Sequence, residues 1–414
     1  MAMPAATLDK TPPIQALSGL RFVMSLIVLA CHYLPLIAVP PLLKTLLAQG
    51  SAAVNCFFML SGFLLAYNYR DTLASGQLRW RDFMRMRLGR VFPVHLATLA
   101  LVTPITLYLL DAYPALMARD LAMEVTQAQV AGSWLSNLLL VQVFIPHRLS
   151  HIWNGPSWSI GAELFFYLLL PFFARYVLAR LNDVRSMARA AAVLFAIQVV
   201  AVIATALVIF LLSPPGKGME SRIYHVVYMS PLLRVWEFFL GCVLGTFFLH
   251  HQRQGVSPRL TAVLTQAKAH TWALVLVALV ALLLALPSPR GFLAGVLQIF
   301  RWYVLYTPVC GLLILLLASR RSFVSRLLEH RWMVFMGEAS YSLYMIHWLP
   351  CVLLVMYKRS GGELAAWWPY ASMAGTLVAA VGLFQLVERP ARKLLRPGAP
   401  APVPGALLVG RAAE

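Results

Sequence analysis

The feature that most constrains this chain is an apolar run long enough to cross a bilayer, repeated ten times. A spanning helix needs about 20 mostly apolar residues, because the hydrocarbon core offers backbone polar groups no partner but one another. Such runs lie near 16–38, 50–68, 92–110, 157–174, 190–212, 231–249, 271–287, 296–319, 334–357 and 370–388. Composition agrees. Of the 414 residues, 60% are hydrophobic and 12% charged, and the mean hydropathy is +0.75. A soluble globular chain carries about a quarter charged residues, so a water-soluble domain, a disordered chain and a collagen-like fibre are excluded. The expected fold is all-α: a polytopic membrane helix bundle of about ten transmembrane helices.

The run from Trp134 to Ile145 is too short to span and reads as interfacial or re-entrant. The first run is no cleavable signal, since it is long, contains Arg21 and precedes many similar runs. The expected organisation is an N-terminal tail over 1–13, one membrane domain over 14–395, and an Ala-, Pro- and Gly-rich disordered tail over 396–414. Cys31, Cys56, Cys242, Cys310 and Cys351 are scattered through apolar runs without a CxxC pair, so neither a disulfide framework nor a zinc site is expected. No metal is expected at all; even His147 and His151, four residues apart, lack nearby acids.

Lys and Arg number 34 against 15 Asp and Glu, a net charge of +19. In a soluble protein such an excess suggests nucleic acid; here it sorts by side. Of the basic residues, 23 fall in one alternating set of loops and tails, 8 in the other, and three (Arg21, Arg234, Arg301) within or beside spans. That bias places both termini in the cytoplasm and removes nucleic acid as a partner.

Ionisable groups at bilayer depth are costly and so mark functional candidates. The first run carries Arg21 and His32, eleven residues apart. That spacing is three helical turns plus about 20°, which puts both on one face about 16.5 Å apart along the axis. An anion held by the guanidinium can extend an arm to the imidazole. The plainer alternative is a snorkelling arginine and a structural histidine. Asn55 and Ser61 are polar in the second run, where small residues favour close packing as the role of Ser61 and Gly62. Arg87 and Arg90, an i,i+3 pair before Pro93, either clamp a phosphorylated ligand or simply hold their loop inside. Glu163, about one turn below the outer surface among aromatics, needs a partner. Arg234 and Glu237 can satisfy each other, a structural reading. Ser340, Tyr344 and His347 form a polar stripe at i, i+4 and i+7.

The order of motifs resembles the membrane acyltransferase type 3 family of bacterial integral-membrane O-acyltransferases. The matching segments are Leu17-Ser-Gly-Leu-Arg21 through His32, Phe57-Phe-Met-Leu-Ser61-Gly62-Phe63, Arg87-x2-Arg90-x2-Pro93 and Trp158-Ser-Ile-Gly-Ala-Glu163. Arg234-x2-Glu237-Phe-x2-Gly241, Ser340-Tyr-Ser-Leu-Tyr344-x2-His347 and Glu388-Arg-Pro390 complete the collinear set. The resemblance implies a bacterial inner-membrane enzyme that moves an acyl group, usually acetyl, from cytoplasmic acyl-CoA to a carbohydrate hydroxyl. The acceptor is then an exopolysaccharide, lipopolysaccharide or lipid-linked glycan unit, or in a few members a macrolide. The donor is a substrate, and no resident cofactor is implied. Arg21, Arg87 and Arg90 are expected to hold the CoA phosphates and His32 to serve as general base. Glu163 and His347 are the other catalytic candidates, with Asn55, Ser340 and Tyr344 on the acceptor or oxyanion side. Many members carry Asp where this chain has Asn55, so no carboxylate role is expected there. The extracytoplasmic hydrolase-like domain of some members is not expected here. The rival class is a secondary transporter, but no internal repeat is evident and the Arg-x10-His pair has no symmetry mate.

Overall fold

The computed structural model describes residues 12–115, 117, 126–145, 152–212, 226, 228–255, 261, 264, 266–285, 300–319 and 322–395. All regular structure among them is helical. In chain order the helices are α1 (Gln15–Tyr33), α2 (Pro41–Leu47), α3 (Gly50–Ala74), α4 (Trp80–Ala112), α5 (Gln127–Leu138), α6 (Ser157–Tyr176), α7 (Val184–Leu212) and α8 (Pro231–Gln254). They continue with α9 (Ala267–Ala285), α10 (Tyr306–Ser319), α11 (Phe323–Leu328), α12 (Arg331–Glu338), α13 (Ser340–Ile346), α14 (Trp348–Arg359), α15 (Trp368–Leu383) and α16 (Arg389–Leu394).

Among the described residues nine helical stretches are long and apolar enough to cross a membrane, in keeping with the about ten expected. The eighth apolar run supplies only the shorter Tyr303–Ser319, and residues 296–299 at its start lie outside the described set. The two tails expected at 1–13 and 396–414 also lie outside it, apart from residues 12 and 13. So do His147 and His151. The Trp134 run forms the end of α5 and a single 3-10 turn, Gln142–Phe144, rather than a span. Thr126 starts α5 with a reciprocal cap, its side chain accepting from the Gln129 backbone.

Proline explains where the long helices are interrupted. Pro350 cannot donate to the Ile346 carbonyl, and the helix breaks between α13 and α14 at His347. Likewise Pro308 and Pro390 remove the hydrogen bonds that Val304 and Leu386 would accept, and wide π-turns occupy Arg301–Leu305 and Phe384–Glu388. The basic stretch before Pro93, by contrast, is no loop. It lies inside α4, which starts at Trp80 and runs through both Pro93 and Pro104.

The core is the α3–α8 pair. A Cβ on Gly62 would stand 2.0 Å from the Phe238 carbonyl oxygen, and one on Gly241 2.0 Å from that of Met59. Only glycine permits that approach, the close packing that drives association where lipid is as apolar as leucine. Beside this seam lies a buried polar knot. Arg234 Nη1 donates to Glu237 Oε1 at 2.8 Å and to Asn55 Oδ1 at 2.6 Å, while its guanidinium covers the Tyr303 ring at 4.0 Å. Gln198 Nε2 donates to the Tyr303 carbonyl at 2.5 Å, so α3, α7, α8 and the turn into α10 are tied together. Arg234 and Glu237 have no exposed side-chain surface. Glu237→Ala would leave the cation buried without its carboxylate, at a cost of about 3–5 kcal/mol. The expected outcome is a large drop in the thermal midpoint of the detergent-solubilised protein; an unchanged midpoint would show that the knot does not hold the bundle.

Candidate active site

A cavity of about 290 Å³ opens between α1, α3, α4, α6 and α13. Its polar wall comprises Arg21, Ser61, Asn68, Tyr69, Arg87, Arg90, Glu163, Ser159, Ser340, Tyr341 and Tyr344. Phe57, Phe58, Leu60, Leu64, Leu65 and Ile160 supply apolar surface. Five of the sequence-derived site residues besides Arg21 therefore meet in one wall: Arg87, Arg90, Glu163, Ser340 and Tyr344.

The three arginines are held differently. Arg87 is buried and caged by aromatics, its guanidinium 5.3 Å from the Tyr69 ring, 5.6 Å from Phe83 and 5.9 Å from Tyr167. It donates to the Tyr69 hydroxyl at 3.3 Å. Arg21 and Arg90 face the cavity, and among the described residues no hydrogen bond is formed to either guanidinium. Glu163 stands within electrostatic reach of both. Its Oε1 accepts from Ser61 Oγ at 2.5 Å. One carboxylate against three guanidiniums leaves this wall cationic, with unspent donors suited to an anion such as phosphate.

Beyond Tyr344 the cavity abuts a histidine pair. His32, at the end of α1, and His347, at the α13–α14 break, have ring centroids 5.1 Å apart. Tyr344 bridges the two compartments: its ring lies 5.7 Å from His347 and 6.1 Å from Phe57, and its hydroxyl is bonded to Ser159 Oγ at 2.8 Å. Neither histidine belongs to the cavity wall itself. Backbone carbonyls fix both tautomers. His32 Nδ1 lies 2.8 Å from the Val28 carbonyl and His347 Nδ1 lies 2.7 Å from the Tyr344 carbonyl. A carbonyl only accepts, so each Nδ1 carries the proton and each Nε2 keeps its lone pair. His347 Nε2 points that lone pair at His32 Nδ1, 3.4 Å away. The Trp348 ring meets His32 edge-on at 5.2 Å. His32 Nε2 is left as the basic nitrogen.

Sequence and structure part company at several positions. Asn55, grouped from the sequence with the acceptor or oxyanion residues, is buried behind the cavity on Arg234 rather than in its wall. Glu163, expected about one turn below the outer surface, stands among the arginines. Ser61, assigned from the sequence to helix packing, is the donor to Glu163, whereas its neighbour Gly62 does the packing. Tyr69, Phe83 and Tyr167 were not singled out; an aromatic cage drawn from three helices leaves no local spacing to read.

The characteristic pattern of the acyltransferase domain matches residues 14–385. The chain belongs to that acyltransferase family. It is similar to "Acyltransferase MdmB" of Streptomyces mycarofaciens, at 30% identity over 94% of this chain and 95% of that one. "Putative peptidoglycan O-acetyltransferase YrhL" of Bacillus subtilis is 26% identical over 83% of this chain. "Peptidoglycan O-acetyltransferase OatA" of Listeria monocytogenes is 22% identical over 83%. The chain spans about half the length of these two, 50% and 51%. No solved structure matches it. Family and apolar helices together make it a multi-pass membrane protein of the acyltransferases, with relatives named O-acetyltransferases.

Proposed function

We propose that this chain transfers an acyl group, acetyl above all, from cytoplasmic acyl-CoA to a hydroxyl of a carbohydrate acceptor such as an exopolysaccharide or lipopolysaccharide unit. One observation carries the reading: Arg21 and Arg90, whose guanidiniums form no hydrogen bond among the described residues, face a cavity whose Tyr344 wall touches the His347–His32 pair. The basic-residue bias supports setting the arginine end in the cytoplasm of a bacterial inner membrane, where acyl-CoA is available. The names of the two peptidoglycan O-acetyltransferases support a glycan acceptor.

In this mechanism Arg21 and Arg90 bind the donor phosphates, with Arg87 fixed beside them by its aromatic cage. The pantetheine arm follows the apolar strip of Phe57, Phe58 and Leu60 toward Tyr344. His32 Nε2 takes the proton from the acceptor hydroxyl as its oxygen bonds to the thioester carbon. His347 Nε2 then receives the hydrogen bond from His32 Nδ1–H and steadies the imidazolium, the part an orienting carboxylate plays in a serine hydrolase triad. Ser340 Oγ, buried and without a hydrogen-bond partner among the described residues, is the donor for the developing oxyanion. The carbon–sulfur bond breaks, and the proton held on His32 passes to the departing thiolate. Glu163 and Ser61 set the spacing of Arg21 and Arg90.

The test compares surface glycans of wild-type and deletion cells by NMR for O-acetyl groups. Loss of O-acetyl from one glycan, restored by the intact gene and not by His32→Ala, is the expected outcome. Identical glycans would exclude a surface carbohydrate and redirect the acceptor search to small molecules.

A further inference from the structure

The C-terminal helix brings a fourth guanidinium to the cationic end of the cavity. After the Phe384–Glu388 π-turn, Glu388 is fully buried and its Oε2 accepts from Ser342 Oγ at 2.5 Å. Its Oε1 accepts from Arg392 Nη2, one turn on in α16. Ser342 lies two residues beyond Ser340 of the cavity wall, so Glu388 fixes α16 to the element that also leads to His347.

The same helix lies on α4 at the arginine pair. Gly89 sits between Arg87 and Arg90, and a Cβ there would stand 2.6 Å from Leu395 Cβ. Leu395 is three residues, about one turn, beyond Arg392. Arg392 is thereby within electrostatic reach of Arg90, Arg87 and Arg21. Its side chain is 30% exposed and lies outside the cavity wall. Among the described residues its Nε, also buried, has no partner.

Four arginines against Glu163, Glu388 and Glu338, the last also within reach of Arg392, leave an excess of one positive charge in a small volume. Like charges gathered this closely repel, unless a polyanion joins them. An acyl-CoA brings a diphosphate and, at the end remote from the thioester, a ribose 3′-phosphate. Arg21 and Arg90 in the wall suit the diphosphate. We propose that Arg392, anchored by Glu388, binds the 3′-phosphate and so selects CoA thioesters over donors that lack that group. This rests on the acyl-CoA reading above.

The purified full-length chain, in neutral detergent free of anionic lipid, is titrated calorimetrically with acetyl-CoA and with acetyl-3′-dephospho-CoA. Wild type is expected to bind acetyl-CoA roughly tenfold more tightly, the weight of one charge-assisted phosphate contact. Arg392→Gln should bind acetyl-CoA as weakly as the dephospho donor, Arg392→Lys should restore part of the difference, and Lys393→Gln, an exposed neighbour, should keep the wild-type ratio. Equal wild-type affinity for the two donors would overturn the proposal without touching the donor reading. So would an Arg392→Gln protein that keeps the wild-type ratio. If wild type bound neither donor, the acyl-CoA reading would fall and this one with it.

Discussion

Alanine at position 32 is expected to lower acyl transfer by roughly 10²–10⁴-fold, the usual contribution of a positioned general base, while acetyl-CoA still binds. The direction follows from the tautomer. With Nδ1–H shared between the Val28 carbonyl at 2.8 Å and His347 Nε2 at 3.4 Å, Nε2 is the lone pair left to His32. His347 cannot take over, because its Nε2 faces His32 rather than the cavity, and its Nδ1 is tied to the Tyr344 carbonyl at 2.7 Å. His32 lies in the last turn of α1 and is only partly buried, so the substitution removes a base without opening a deep void. His347→Ala is expected to cost less, about 10–100-fold, because it removes the group that steadies the imidazolium and not the base itself. Single-turnover acyl transfer, with acetyl-CoA binding as the folding control, measures both. Full transfer by the His32→Ala protein would end the general-base assignment.

The architecture was legible because a bilayer leaves few alternatives. Apolar length alone locates the helices, and of the Arg21 and His32 pair eleven residues apart, the first lines the cavity and the second packs on His347. Boundaries were less legible, since hydropathy does not see that α4 starts about three turns ahead of its apolar run, at Trp80, carrying Arg87 and Arg90 inside the helix. The site was legible as a set of residue types and opaque as a set of partners. His32 and His347 are 315 residues apart in sequence, and no local period announces that they pair. Asn55 shows the reverse failure. A polar residue in an apolar helix reads as functional by default, but Arg234, 179 residues away, absorbs it into a structural knot. Arg392 falls among the 23 basic residues of one side and nothing in the sequence sets it apart, because its relation to α4 depends on the π-turn before Pro390.

Reversing the charge at Arg90 is expected to weaken acetyl-CoA binding by at least about 100-fold. One charge-assisted phosphate contact is worth about 1.5–3 kcal/mol, roughly 10–150-fold in affinity, and a carboxylate in its place adds repulsion that a half-buried cavity screens poorly. Arg90→Glu would also set a second acid beside Glu163, which at present offsets part of the charge on Arg21. Arg85→Glu is the informative control. Arg85 lies on the same helix and carries the same topological charge, but it is exposed and outside the cavity wall. Both substitutions cost the positive-inside signal equally, and only one touches the anion site. Binding lost in Arg90→Glu and kept in Arg85→Glu assigns Arg90 to the donor. Equal affinity in the two variants and wild type would return Arg90 to orienting the chain, and with it the largest part of the case for acyl-CoA in this cavity. Raising the salt should weaken wild-type binding more than that of Arg90→Glu, since the wild-type site holds one more phosphate-directed charge to be screened.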